Sequence, residues 1–159
     1  MSPHLLLQRS RHFLALPLFT KLWFVPAWLL LGLSRALILL ISFRRLATLL
    51  GTLHPDGPWV PLLDDRQQAV ALRLKRVVQL AARYTPWSSN CFPQAVAARV
   101  LLGIHGIPFA LYFGVARDPD TQAMRAHAWV AAGKVPVAGG YSFGHYTVVA
   151  CFAGGVLAS

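Results

Sequence analysis

The chain contains no glutamate. Its only carboxylate side chains are five aspartates, set against fifteen lysines and arginines, for a formal charge of +10 and a pI near 10.9. Such an imbalance favours anionic partners: nucleic acid, anionic lipid or acidic peptide. Cysteine is nearly as scarce. Cys91 and Cys151 stand sixty positions apart without a C-x-x-C pair, which excludes a disulfide framework or a structural zinc site. The six histidines lack the i, i+4 spacing of a helical metal pair, and no phosphate loop, G-x-G-x-x-G turn, internal repeat or low-complexity tract is present. The expectation is therefore no cofactor and no metal. The arginines lack the interleaved aromatics of a nucleic-acid reader, so no nucleic-acid partner is expected either.

What the chain has in excess is apolar surface. Hydrophobic residues make up 56% of it, above the usual share of about 45–50%, which points to a face meant for a membrane or a partner. Residues 1–16 carry Arg9, Arg11 and His12 among leucines, but no small-residue cleavage site follows, so the segment reads as retained. Leu22 to Phe43 is almost wholly apolar and, at about 1.5 Å per residue, just long enough to cross a bilayer. Pro26 and Arg35 count against a full span, and the basic ends suit a helix lying on anionic lipid or covering a hydrophobic partner. Gly51–Pro58 reads as a linker. It divides an apolar, basic-flanked helical region, residues 1–58, from a domain over residues 59–159.

Asp64 and Asp65 open a helix that runs to about Tyr84, with Val70, Leu74, Val77, Val78 and Ala81 on one stripe and Arg66, Arg73, Arg76 and Arg83 on another. After Trp87-Ser88-Ser89-Asn90, Cys91 sits where a polar turn enters a second helix. Unpaired amides and the helix dipole stabilise a thiolate at that place, and Pro93 is tolerated in a first turn. This helix should end near Gly103–Gly106. Strands follow at Phe109–Val115, Arg125–Ala132, Val135–Val137 and His145–Phe152, in the helix-then-sheet order of an α+β domain. On the second of these, alternation puts His127 and Trp129 on one face and Ala126, Ala128 and Val130 on the other. A cysteine at a helix start and an imidazole on a strand form a nucleophile and base pair.

The blocks Asn90-Cys91-Phe92-Pro93-Gln94-Ala95, Leu101-Leu102-Gly103-Ile104-His105-Gly106-Ile107-Pro108, Gly114-Val115-Ala116-Arg117-Asp118-Pro119 and Ala126-His127-Ala128-Trp129-Val130 together resemble the lasso-peptide maturation B proteins. These are transglutaminase-like cysteine proteases, with a papain-like core, that remove the leader from a ribosomally made precursor peptide. The resemblance covers roughly residues 60–152. It implies catalysis by Cys91 and His127, a cytoplasmic enzyme peripheral to the inner face of the membrane, and a macrolactam synthetase as co-worker. Some of those proteins carry a leader-recognition module. Residues 1–58 do not read as one, so a separate recognition protein is expected to present the precursor.

The third member of the family's Cys-His-Asp triad has no counterpart, because no Asp or Glu follows Asp120. Tyr141, Ser142, His145 or a main-chain carbonyl remain as groups that could orient His127. Asp118 and Asp120 read as turn formers. The Cys91 amide would hold an oxyanion, with Trp87 or Gln94 as a second donor. The competing readings are a catalytically weak transglutaminase-like scaffold subunit of a peptide-modifying complex and a basic membrane-associated interaction protein.

Overall fold

The computed structural model describes residues 16–42, 45, 50–55, 57–140 and 142–155. The basic segment with Arg9, Arg11 and His12, and Tyr141 as a partner for His127, lie outside those residues. Helix α1 spans Leu18–Leu40, beginning four residues before the expected start and passing through Pro26. The proline removes one i→i−4 donor, leaving the carbonyl of Leu22 without its helical partner on a turn whose side chain is exposed. The opposite side of α1, with Thr20, Ala27, Leu31 and Ser34, is buried against α2 and α3. Aromatic contacts hold it there: Trp23 lies 4.5 Å from the His105 ring and Trp28 4.8 Å from Trp87, while Trp28 Nε1 donates to the Tyr84 carbonyl at 3.1 Å.

Helix α2, Asp65–Arg83, starts on the expected signal. Asp64 accepts from the Gln67 amide at 2.7 Å and the Gln67 side chain accepts from the Asp64 amide at 3.1 Å, a reciprocal capping box. Ala71, Leu74, Val77, Val78 and Ala81 are buried, with Val70 only half-buried, and all four arginines of the other stripe are exposed. Helix α3, Cys91–Ile104, stops where glycine was expected to stop it. The Ile107 amide donates back to Leu102 and the Gly106 amide to Gly103, the paired bonds of a Schellman ending.

The sheet comprises β1 (Thr52–Leu53), β2 (Phe109–Arg117), β3 (Met124–Ala132), β4 (Val135–Ala138) and β5 (Thr147–Gly154), all antiparallel, in the order β1-β5-β2-β3-β4. Two features depart from the sequence reading. The Gly/Pro-rich segment is not wholly a linker, since Thr52 and Leu53 pair with Ala153 and Phe152 and the His54 amide donates to Cys151. And β5 pairs with β2 instead of its sequence neighbour β4, because the connection after β4 carries the chain back across the sheet.

Alternation along the strands divides the interior in two. Phe109, Leu111, Ala128, Val130 and Ala132 join the main core beneath the helices. Ala110, Tyr112, Trp129, Ala131 and Cys151 form a smaller cluster on the other face, with Trp59 and Tyr146 packed on it. Here the expected assignment of faces on β3 is what the fold uses. The architecture is α+β: helices on one face of a small antiparallel sheet, with the apolar helix α1 laid along them.

Candidate active site

Cys91 is the first residue of α3, half-buried, following Asn90 as N-cap. The Asn90 side chain makes no capping bond, and Pro93 in the first turn has no amide to offer, so no N-cap side chain occupies the amide donors around the cysteine. Gln94, considered above as an oxyanion donor, gives its side-chain amide to the Ser89 carbonyl at 2.7 Å, closing the turn before the helix. Trp87, the other candidate, has its Nε1 buried without a hydrogen-bond partner among the described residues and its ring against Trp28.

His127 lies near the start of β3. Its Nε2 is 2.9 Å from the carbonyl oxygen of Gly139, just beyond the end of β4. A carbonyl can only accept, so this bond places the proton on Nε2 and leaves the lone pair on Nδ1. The imidazole is stacked on Tyr146 at 4.9 Å and approaches Trp129 at 5.9 Å, on the side of the smaller cluster. Gly114, its register partner on β2, makes room for those rings, since a Cβ there would come within 2.8 Å of both Trp129 and Tyr146. Of the groups considered for orienting the histidine, Ser142 instead donates to the same Gly139 carbonyl at 2.9 Å, and His145 is exposed. Among the described residues, the Gly139 carbonyl is the group hydrogen-bonded to the imidazole.

Cys91 and His127 both border one cavity of about 380 Å³, but Phe113, Ala128 and Ala150 of its wall belong to the helix-side core, whereas the imidazole stacks on Tyr146 and Trp129 of the other face, so the free structure does not bring ring and thiol together. The cavity's other walls come from Phe92, Phe113, Val115, Ala126, Ala128 and Val149, an almost wholly apolar lining. The β2–β5 ladder shifts register at this wall: Phe113 faces Ala150 and Gly114 faces Val148, so Val149 is the extra residue of a bulge and its side chain is exposed. Among the described residues no hydrogen bond joins the thiol to the imidazole, and no cluster of His, Cys, Asp or Glu has the makings of a metal site. Cys151 sits apart, buried at 2% exposure in the smaller cluster, and burial pushes its thiol pKa up. Asp118 accepts from the amides of Asp120 and Thr121 and pairs with Arg125 at 3.3 Å. These bonds hold its carboxyl below the usual range, and it serves the β2–β3 turn, as its sequence context suggested.

The transglutaminase-like superfamily pattern matches residues 35–151, well over half of the chain. This chain belongs to the transglutaminase-like superfamily. The match reaches from the second half of α1 to the middle of β5 and so takes in Cys91, His127 and the intervening strands. No curated protein and no solved structure matches the chain. The superfamily includes cysteine peptidases and transglutaminases, and its fold accounts for a cysteine at a helix start facing a sheet.

Proposed function

We propose that this transglutaminase-like chain is a cysteine peptidase that removes the leader from a lasso-peptide precursor, with Cys91 as nucleophile and His127 as base. The observation that carries the reading is one apolar cavity bordered both by a helix-start cysteine and by the strand histidine. In the reaction, Nδ1 of His127 takes the thiol proton and Sγ of Cys91 bonds to the scissile carbonyl carbon. The oxyanion is held by the amides at the start of α3, and the imidazolium gives its proton to the departing amine. Water then attacks the thioester with His127 again accepting the proton, which frees the leader carboxylate and restores the thiol. In the free protein the imidazole is stacked on Tyr146 and Trp129, away from the Cys91 helix, so proton transfer requires it to turn toward the thiol when a substrate is bound. The apolar walls suit an uncharged side chain beside the scissile bond.

The leader-peptidase part of this reading rests on the ordered blocks around Cys91, Gly106, Gly114 and His127. It brings with it a cytoplasmic reaction, a separate leader-recognition protein that presents the precursor, and a macrolactam synthetase that closes the ring on the freed amine. The +10 charge favours docking of an acidic leader or of that partner. A scaffold role is the second reading, favoured by the absence of any Asp or Glu after Asp120 and by a main-chain carbonyl as the hydrogen-bond partner of His127. The test is incubation of the protein with the precursor peptide and the recognition protein encoded beside it, with leader loss followed by mass spectrometry. Cleavage should vanish in Cys91→Ala, in His127→Ala and in the double variant alike, because nucleophile and base act as one unit. It should persist in Cys151→Ala. Full maturation with Cys91→Ala would establish the scaffold reading. Labelling of Cys91 by a peptidyl epoxide without leader loss would keep the peptidase and reject the substrate.

A further inference from the structure

One face of α1 is covered by nothing among the described residues. Leu18, Leu22, Val25, Leu29, Leu33, Ala36 and Leu40 recur at intervals of three and four, so they project along one line of the helix. The six large ones are exposed by between 56% at Val25 and Leu33 and 82% at Leu40. The buried residues Thr20, Ala27, Leu31 and Ser34 lie on the diametrically opposite side, in contact with α2 and α3.

The rim of this stripe is basic. Lys21 and Arg35 lie half-buried on one flank of α1, Arg45 is exposed beyond its end, and the Arg73 guanidinium sits 5.9 Å above the ring of Phe19. Arg66, Arg76 and Arg83 continue the exposed stripe of α2. No carboxylate lies on α1, and the described aspartates sit at the start of α2 and in the β2–β3 turn. We infer that this face is a membrane-docking surface: α1 lies in the plane of an anionic lipid surface, its leucine stripe among the acyl chains and its arginines on the lipid phosphates.

By length and composition α1 could cross a bilayer. Its packing forbids that, since its inner face is bound along α2, which carries the exposed arginines, and those charges would have to enter the hydrocarbon with it. A second copy of the chain is a poor occupant, because pairing the stripes would bring two basic rims together.

The test uses the full-length protein and flotation with vesicles of phosphatidylcholine alone and of phosphatidylcholine with phosphatidylglycerol. The expected result is co-flotation with the anionic vesicles only, weakened by added salt. Leu22→Glu with Leu29→Glu should lower partitioning by on the order of tenfold or more while leaving the melting temperature unchanged, both side chains being exposed. Arg73→Ala with Arg76→Ala should reduce the preference for anionic lipid. Equal binding to both vesicle types, no binding to either, or unchanged partitioning of the leucine variant would overturn the inference. So would a dimer abolished by the same leucine changes, or protease-accessible chain on both sides of a vesicle. Because none of these readouts requires cleavage, failure of the peptidase reading would leave the docking result standing, and the reverse.

Discussion

Replacing Gly139 with alanine tests whether its carbonyl does the work of the missing carboxylate. Gly139 has φ +77°, and an added Cβ would stand 2.6 Å from the Ala128 carbonyl oxygen and 2.6 Å from Trp129 Cβ. Gly140, next in the chain, also has positive φ, +69°, but a Cβ there meets nothing within 4 Å. Gly140→Ala should therefore cost only the left-handed penalty of about 1–2 kcal/mol. Gly139→Ala adds an overlap with backbone and a core tryptophan, which is worth about 1–3 kcal/mol more. At about 2–4 °C per kcal/mol for a chain of this size, Gly139→Ala should melt roughly 2–12 °C below Gly140→Ala. The consequence for activity is sharper. Relief of the overlap moves the Gly139 carbonyl away from His127 Nε2, and the imidazole loses the bond that fixes its tautomer, so kcat should fall far more in the Gly139 variant than in its neighbour, measured on protein that is still folded. If the two variants have equal melting temperatures, the steric argument is wrong. If a folded Gly139→Ala cleaves at the parental rate, the carbonyl is not the orienting group. The same geometry directs any attempt to restore an acid: Asp at position 139 would clash, whereas position 140 is open and aspartate is among the side chains that tolerate left-handed backbone.

The two cysteines should separate cleanly in labelling at neutral pH: iodoacetamide modifies Cys91, which borders the open cavity, and reaches Cys151 only after denaturation. Equal labelling of both in the folded protein would refute this. Burial raises the Cys151 pKa and, together with the neighbouring Cys151 thiol, that of Tyr112, so both are held neutral in the folded state and ionise more readily when unfolded. Their stability contribution is complete below the ordinary thiol value of about 8.5 and is lost as pH climbs through the raised ones. Melting temperature should accordingly fall on the alkaline side, more gently in Cys151→Ala; a parallel decline in the two proteins would contradict the assignment.

Local chemistry was written in the sequence wherever one turn of chain decides it. The Asp64–Gln67 box, the ending of α3 at Gly106, the Asp118 turn and the alternation of Ala128, Trp129 and Val130 across β3 each depend on residues a few positions apart, and each is present in the fold. The sequence also singled out Cys91 and His127, and the fold sets both at the border of one cavity. Only the tertiary structure decided what depends on long-range pairing. It put β5 beside β2 and so closed the cavity wall with Val149, it brought the Gly139 carbonyl to an imidazole twelve residues upstream, and it chose which face of an almost uniformly apolar helix would be covered. No residue type encodes a main-chain carbonyl acting as a ligand, since every residue carries one. And hydropathy cannot assign an inside and an outside to a helix whose two sides are both apolar; the packing of α2 and α3 against one of them does that.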